Sequence, residues 1–305
     1  MRTTASFGIG AKDLSLPKRV AENGVLVRAI EKELQEAGAA SPEAERRWLI
    51  EHVTGAKWID LMTGRHTLTP AQMRRMRRVI AGRKKGEPLA YLLGEAPFWG
   101  RLFKVTKDVL IPRPETERLV EETLKVIDTH YRALSPRILD MGTGSGCIAL
   151  SLTLERPACR MTALDVSGPA LKIARKNRRI LGLQKKVTWV QGRFFAPFRG
   201  KAACWDIVVS NPPYIPAGKI DRLQREVRRE PRLALDGGRS GLDAVETLLK
   251  EAPKYLAPNG WLLLEIGDDQ AAKIRRKTYA GFGSMHFEKD LNGIERVLIA
   301  QRDNG

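Results

Sequence analysis

From Arg137 onward the chain alternates short apolar runs with longer helix-patterned segments, and this alternation leaves few folds open. The runs "RILDMG", "RMTALD", "KVTWVQ", "WDIVVS" and "GWLLLEIG" are too uniformly apolar for one-sided strands, so each reads as a strand buried on both faces. Between them "CIALSLTLE", "GPALKIARKNRRILG" and "LDAVETLLKEAPKYL" have the length and spacing of helices. The succession predicts an α/β fold with a mainly parallel sheet covered on both faces, and "SMHFEKD" with "ERVLIAQ" predicts a closing antiparallel hairpin. Ligands of such sheets bind beyond the carboxyl ends of the strands. That rule gathers residues 140–146, Asp165 and residues 211–214 on one rim.

The first hundred residues have a different texture. Helical composition runs from Val25 to Gln35, Ser41-Pro42-Glu43 opens a second helix, and Thr69-Pro70-Ala71-Gln72 has the form of a capping box before a third. In "QMRRMRRVIAGRKKG" Met73, Met76 and Ile80 make a buried stripe and the arginines its solvated side; Gly86 ends the helix. The chain therefore divides into a loose tail (1–20), a small all-α domain (21–86), an extended linker or hairpin (87–113) and the α/β domain (114–305). The Arg and Ser/Thr content of the tail also fits a mitochondrial transit segment.

Composition narrows the partners rather than the fold. No apolar run approaches the ~18 residues of a membrane span, and the first twenty residues lack the apolar core of a secretory signal, so a cytoplasmic location is expected. Three cysteines without C-x-x-C spacing indicate neither a disulfide framework nor a zinc cluster, and no metal is expected. Lys and Arg number 53 against 35 Asp and Glu, a net charge of +18, which favours encounter with an acidic or polyanionic partner.

Two segments carry chemistry. Asp140-Met-Gly142-Thr143-Gly144-Ser145-Gly146 is a strand ending in a glycine turn that opens a helix, where the backbone approaches a ligand without Cβ clashes. The dinucleotide fingerprint would need glycine at Cys147, and the phosphate-loop Gly-Lys-Ser/Thr is absent. Asp165 closes the next strand, where a carboxylate can accept both hydroxyls of a ribose. The second segment is "VVSNPPYIP": two prolines fix two φ angles and hold Asn211 out of the α region at a strand end. The Asn211 side-chain oxygen and the Pro212 carbonyl can then accept the hydrogens of a planar nitrogen, Pro213 stiffens the corner, and Tyr214 offers a flat wall. All four histidines fall outside both segments.

The glycine turn with Asp165 resembles the cofactor site of class I S-adenosylmethionine-dependent methyltransferases. Asn211-Pro-Pro-Tyr214 resembles the signature of those acting on adenine N6, guanine N2 or a glutamine amide. The flanking stretches decide among these: "GEPLAYLLGEAPFWGRLFKVTKDVLIPRPETERLVE", "EPRLALDGGRSGLD", "LLLEIGDDQ" and "KDLNGIERV" are similar to the peptide chain release factor N(5)-glutamine methyltransferases (HemK/PrmC type). The hexapeptide Pro112-Arg113-Pro114-Glu115-Thr116-Glu117 separates this family from the ribosomal-protein glutamine methyltransferases. The resemblance implies a Rossmann-like class I methyltransferase domain, S-adenosyl-L-methionine as cofactor, and release factors as protein partners, with no direct nucleic-acid substrate. It implies methylation of the glutamine of a Gly-Gly-Gln tripeptide, with Asn211 to Tyr214 and Arg113 holding the substrate. Residues 140, 142–146, 165 and 211 would hold the cofactor, with the helical domain docking the factor. Arg193 stands where the family commonly has an acid, so Phe194 is expected to cover the adenine by stacking. The rival readings are a nucleic-acid methyltransferase and a non-catalytic RNA-binding protein on the same scaffold.

Overall fold

A computed structural model describes residues 16–183 and 187–304, and within it the chain separates into two compact units, divided between Leu93 and Gly94. The first unit is helical: α1 (Leu16–Glu36), α2 (Pro42–Thr54), α3 (Trp58–Met62), α4 (Pro70–Lys84) and α5 (Leu89–Leu93). Residues 1–15 of the expected tail lie outside the described residues, while α1 already begins at Leu16, inside that tail. The unit runs on through α5, past the boundary expected at 86.

Side-chain spacing explains these helices. Leu26, Val27, Ile30 and Leu34 of α1 meet Leu49, Ile50 and Val53 of α2 and Met76, Val79 and Ile80 of α4 in one apolar core, with Met73 at its edge. Thr69 caps α4 as expected: its Oγ1 accepts from Gln72 N at 3.2 Å, and its own N donates to Gln72 Oε1 at 2.9 Å. Ser41 precedes α2 without any side-chain capping bond, so Pro42 and the acidic first turn mark that start alone.

The expectation that every arginine of α4 faces solvent is corrected at Arg83. It is 1% exposed, and its Nε and Nη2 each donate at 2.8 Å to the two carboxylate oxygens of Glu45, while Nη1 donates to the Glu87 carbonyl at 2.8 Å. Arg83 falls on the same face as Met76, Val79 and Ile80 at helical spacing, so the periodicity that buries those residues buries it too.

The second unit opens with a hairpin, β1 (Glu95–Phe98) and β2 (Arg101–Lys104), turned by Trp99 and Gly100 at φ +50° and +67°. This strand pairing is earlier and shorter than the segment expected at 98–111. Asn177 fastens the hairpin to the rest of the unit: its Oδ1 accepts from Lys104 N at 2.7 Å, and its Nδ2 donates to Lys104 O at 3.0 Å and Ser145 O at 2.8 Å.

Beyond the hairpin come α6 (Thr116–His130), β3 (Arg137–Met141), α7 (Cys147–Glu155), β4 (Arg160–Asp165), α8 (Gly168–Ile180), β5 (Val187–Gln191), β6 (Trp205–Ser210) and α9 (Arg232–Leu235). The chain then closes with α10 (Asp243–Tyr255), β7 (Leu256–Glu265), α11 (Gln270–Arg275), β8 (Phe282–Lys289) and β9 (Glu295–Arg302). The sheet order is β5-β4-β3-β6-β7-β9-β8, parallel from β5 to β7 and antiparallel in the last two pairings. The mostly parallel sheet with an antiparallel C-terminal hairpin is thus present.

Alternate side chains along each strand feed two cores. Ile138, Ile207, Val209 and Leu263 pack with α6 and α7 on one face, and Leu139, Met141, Val208 and Leu264 pack with α10 and α11 on the other. Successive strands β3, β4 and β5 step outward before β6 returns to the far side of β3, so a crevice opens at their carboxyl ends between β3 and β6.

The buried Arg83–Glu45 pair gives a test of the helical unit. Glu45→Ala leaves a guanidinium inside an apolar core and is expected to destabilise that unit by about 3 kcal/mol. The double variant Arg83→Met, Glu45→Ala should recover most of the loss in denaturant titration.

Candidate active site

The glycine turn is stitched to the strand beside it. Gly142 N and Thr143 N both donate to the Leu164 carbonyl at the end of β4, at 2.8 and 2.9 Å, and Gly144 N donates to Asp165 Oδ2 at 2.8 Å. Gly142 and Gly144 stand at φ +76° and +55°, which a β-carbon resists, and nothing lies within 4 Å of where a Cβ would project at Gly142. The turn therefore presents bare backbone to open space. Gly146, at φ +83°, instead presses against Leu150 and Ala174, where a Cβ would come within 3.1–3.2 Å of their side chains.

Asp140 is fully buried beneath this turn. Its Oδ2 accepts from Thr143 Oγ1 at 2.6 Å and from Ala149 N at 3.2 Å, whereas Oδ1 has no protein partner. Burial pushes its carboxyl up to about 7. Asp165 accepts Gly144 N on one oxygen and Ser167 N on the other, both at 2.8 Å, and burial raises its pKa as well. Each oxygen keeps a lone pair for a further hydroxyl.

A cavity of about 450 Å³ lies on this rim, and Gly142, Gly144, Asp165, Phe194, Asn211, Pro212 and Pro213 all reach it. Asp140, Thr143, Ser145 and Gly146 of the same turn do not line the cavity, nor do Tyr214 and Arg113. Phe194 is held at φ +47°, an uncommon state for a residue with a β-carbon, and the Arg193 guanidinium lies 5.5 Å from its ring centroid. Both line the cavity, so Arg193 reaches the site while also covering Phe194.

The corner after β6 is built from several directions. The Ser210 hydroxyl donates to the Met141 carbonyl at 2.6 Å, joining the end of β6 to the end of β3. Asn211 Nδ2 donates to Thr116 Oγ1 at 3.0 Å, which leaves its carboxamide oxygen uncommitted. Tyr214 Oη donates to Glu265 Oε1 at 3.2 Å, and Gln270 Nε2 bridges the carbonyls of Tyr214 and Gly241 at 3.0 and 2.9 Å. Gly237 packs so closely that a Cβ there would lie 2.7–2.8 Å from Gly241 O, Pro213 O and Tyr214 Cα.

Arg113 pairs with the buried carboxylate of Glu230, which also accepts Ile111 N at 2.9 Å. This clasp ties the segment containing Asp108, Val109 and Leu110 to the one containing Pro231 and Ala234, both of which line the cavity. Reading the sequence assigned no separate role to Thr116, Glu230, Glu265 or Gln270. Their only signal was membership of the flanking stretches that carried the family resemblance. The four histidines are absent from the cavity wall, and among the described residues no cluster of three or more His, Cys, Asp or Glu side chains is placed to hold a metal. No described helix is long and apolar enough to cross a membrane.

Known proteins share both units. Residues 26–94 match the family model described as the PrmC N-terminal domain, and residues 118–230 match the methyltransferase small domain. The release factor glutamine methyltransferase of Neisseria gonorrhoeae is 40% identical over 262 residues, covering 85% of this chain and 93% of its own length. That of Moorella thermoacetica is 45% identical over 237 residues, covering 77% and 82%. Among solved structures, the hMettl16 catalytic domain in complex with MAT2A 3'UTR hairpin 6 superposes with a TM-score of 0.52 at 14% identity, covering 77% of this chain and 82% of that one. At that identity it attests the class I methyltransferase fold alone.

The tight seat of Gly237 predicts a local, measurable strain. Gly237→Ala must push apart three backbone atoms and is expected to lower stability by about 1–3 kcal/mol. Gly218→Ala, in open space on the same segment, should leave the melting temperature within a degree or two of the parent, as surface changes do.

Proposed function

This chain belongs to the release factor glutamine methyltransferases, and on that premise we propose that it methylates N5, the side-chain amide nitrogen, of the glutamine in the Gly-Gly-Gln tripeptide. S-adenosyl-L-methionine, when bound, supplies an electrophilic sulfonium methyl group. The observation that carries the reading is the meeting of a bare glycine turn, a ribose-type carboxylate at Asp165 and the uncommitted Asn211 oxygen around one cavity. The residues present fit the cofactor. Gly142 and Gly144 leave room for its approach, the orphaned Asp140 Oδ1 supplies negative charge beneath the turn for an ammonium group, and Phe194 offers an aromatic face for adenine.

Asn211 and the Pro212 carbonyl are the parts that act on the substrate. An amide nitrogen is a weak nucleophile because its lone pair is delocalised into the carbonyl. Two acceptors that take its two hydrogens orient the group and favour the out-of-plane lone pair. No base is required beforehand, since the nitrogen becomes acidic on methylation and its proton then leaves to water. Pro213 and Tyr214 keep the acceptors rigid. Arg113 serves substrate binding through its clasp with Glu230, which sets the distance between two cavity walls. The helical unit is assigned the docking of the factor, and the cytoplasm, where release factors work, follows as the site of action.

Three expected outcomes test this assignment. Asp165→Ala should weaken cofactor binding by about 1.5–3 kcal/mol in calorimetry, while Asn211→Ala keeps the cofactor and loses turnover. The reverse pattern would overturn the division of labour. Because the Asp140 carboxyl stands at about 7 in the free protein, a bound cation that holds it ionised lowers its pKa, so binding releases a proton at lower pH. Affinity is then expected to fall as pH drops below about 7, by up to about tenfold per pH unit, and Asp140→Asn should flatten this dependence. A factor whose glutamine is changed to asparagine should remain unmethylated, because its shorter side chain withdraws the amide from the acceptors. Labelled RNA beside unlabelled factor in the same assay would favour a nucleic-acid methyltransferase instead.

A further inference from the structure

The Asn211 carboxamide has two nearly isosteric faces, and only one of them suits the substrate. With the oxygen toward the cavity it accepts an amide N–H; turned over, it presents its own N–H groups to the substrate's donors and repels them. What chooses between the two is the partner of Nδ2, which is Thr116 Oγ1 at 3.0 Å.

Thr116 opens α6 and is 2% exposed, so no solvent competes for its hydroxyl. A hydroxyl that accepts from Asn211 must send its own proton elsewhere. The Glu265 carboxyl, 1% exposed at the end of β7, takes the Tyr214 hydroxyl on Oε1 at 3.2 Å, while its buried Oε2 has no hydrogen-bond partner and the Thr116 hydroxyl is near enough to stabilise its charge. An ionised carboxylate can only accept. It therefore forces Thr116 to donate toward it and to accept from Asn211. We propose that Thr116, backed by Glu265, is the positioning residue that fixes the Asn211 carboxamide with its oxygen toward the cavity, making the site selective for an N–H donor. The proposal rests on the function assigned to Asn211 above.

The arrangement has a built-in dependence on protonation. Burial pushes the Glu265 carboxyl up to about 7 against the pull of the Thr116 and Tyr214 hydroxyls. Other groups also face it: the Arg296 guanidinium from β9 stabilises its charge, Glu115 ahead of α6 opposes it, and the Cys147 thiol at the start of α7 stands across from it. A protonated Glu265 can donate to Thr116, whose hydroxyl is then free to donate to Asn211 in turn and release the carboxamide to rotate. Turnover at saturating cofactor is therefore expected to fall on the acid side of this titration, separately from the loss of cofactor affinity assigned above to Asp140, which saturation removes from kcat.

The test measures kcat with a release factor substrate across pH 5.5–8.5, roughly centred on that titration. The variants are Thr116→Val, Thr116→Ser, Glu265→Gln and Asn211→Ala, with cofactor affinity followed by calorimetry. Thr116→Val, which keeps shape and removes the hydroxyl, should lower kcat by about tenfold or more, flatten the acid limb and leave cofactor affinity unchanged. Thr116→Ser should restore both kcat and the acid limb. Glu265→Gln, whose amide can donate to Thr116, should reproduce the loss and serves as the second arm if the valine variant folds poorly. Parent-like kcat and acid limb in both variants, with Asn211→Ala inactive, would overturn the relay alone. An active Asn211→Ala would instead overturn the functional reading on which it stands.

Discussion

The parallel pairing of β3 with β6, closed at its carboxyl end by the Ser210 hydroxyl on the Met141 carbonyl, is the constraint on which the site depends. At that pairing the chain returns from its outward strands, so two segments about 70 residues apart in the chain end side by side. One continues into a glycine turn and the other into a proline-stiffened corner. Neither alone is a site: the turn offers backbone with no acceptor for a substrate, and the corner offers acceptors with no seat for a methyl donor.

Around that pairing the protein spends its buried polar groups on geometry. Asp140 supports the turn from below, Gln270 and Glu265 support the corner from behind, and Glu230 draws two walls together through Arg113 and Ile111. These are directional contacts among buried groups near the carboxyl ends of the helix-covered sheet, where a matched group has a single arrangement. Rigidity of this kind suits the orienting role proposed for Asn211 and the Pro212 carbonyl.

The parts legible in the sequence were those whose signal is local. Strands such as Arg160–Asp165 and Trp205–Ser210 announced themselves as compact apolar runs, and the glycine turn and Asn211-Pro-Pro-Tyr214 carry their geometry in consecutive residues. Thr116 and Glu265 were illegible as individuals because their roles arise only on contact, 95 residues from Asn211 in one case and 51 from Tyr214 in the other. Arg83 misled for a related reason: helical periodicity places it on the inner face, but composition alone assigns a cation to water until a partner such as Glu45 is known to wait there. For Arg113, which the resemblance implies holds the substrate, the ion-pair partner Glu230 lies 117 residues away and is invisible to local reading.

Asn177 also decides where the chain can be divided. Its side chain is satisfied on three sides, by the Lys104 amide, the Lys104 carbonyl and the Ser145 carbonyl, and it is 1% exposed. A fragment starting at residue 114 would keep every strand of the large sheet yet strip two of those three partners from a carboxamide inside the fold. The Phe98 and Phe103 rings, which belong to the same core as Leu119 and Ile148, would go with them. The hairpin is accordingly the outer wall of the α/β unit and not a tether leading to it, so the smallest piece that can be excised whole begins at Gly94.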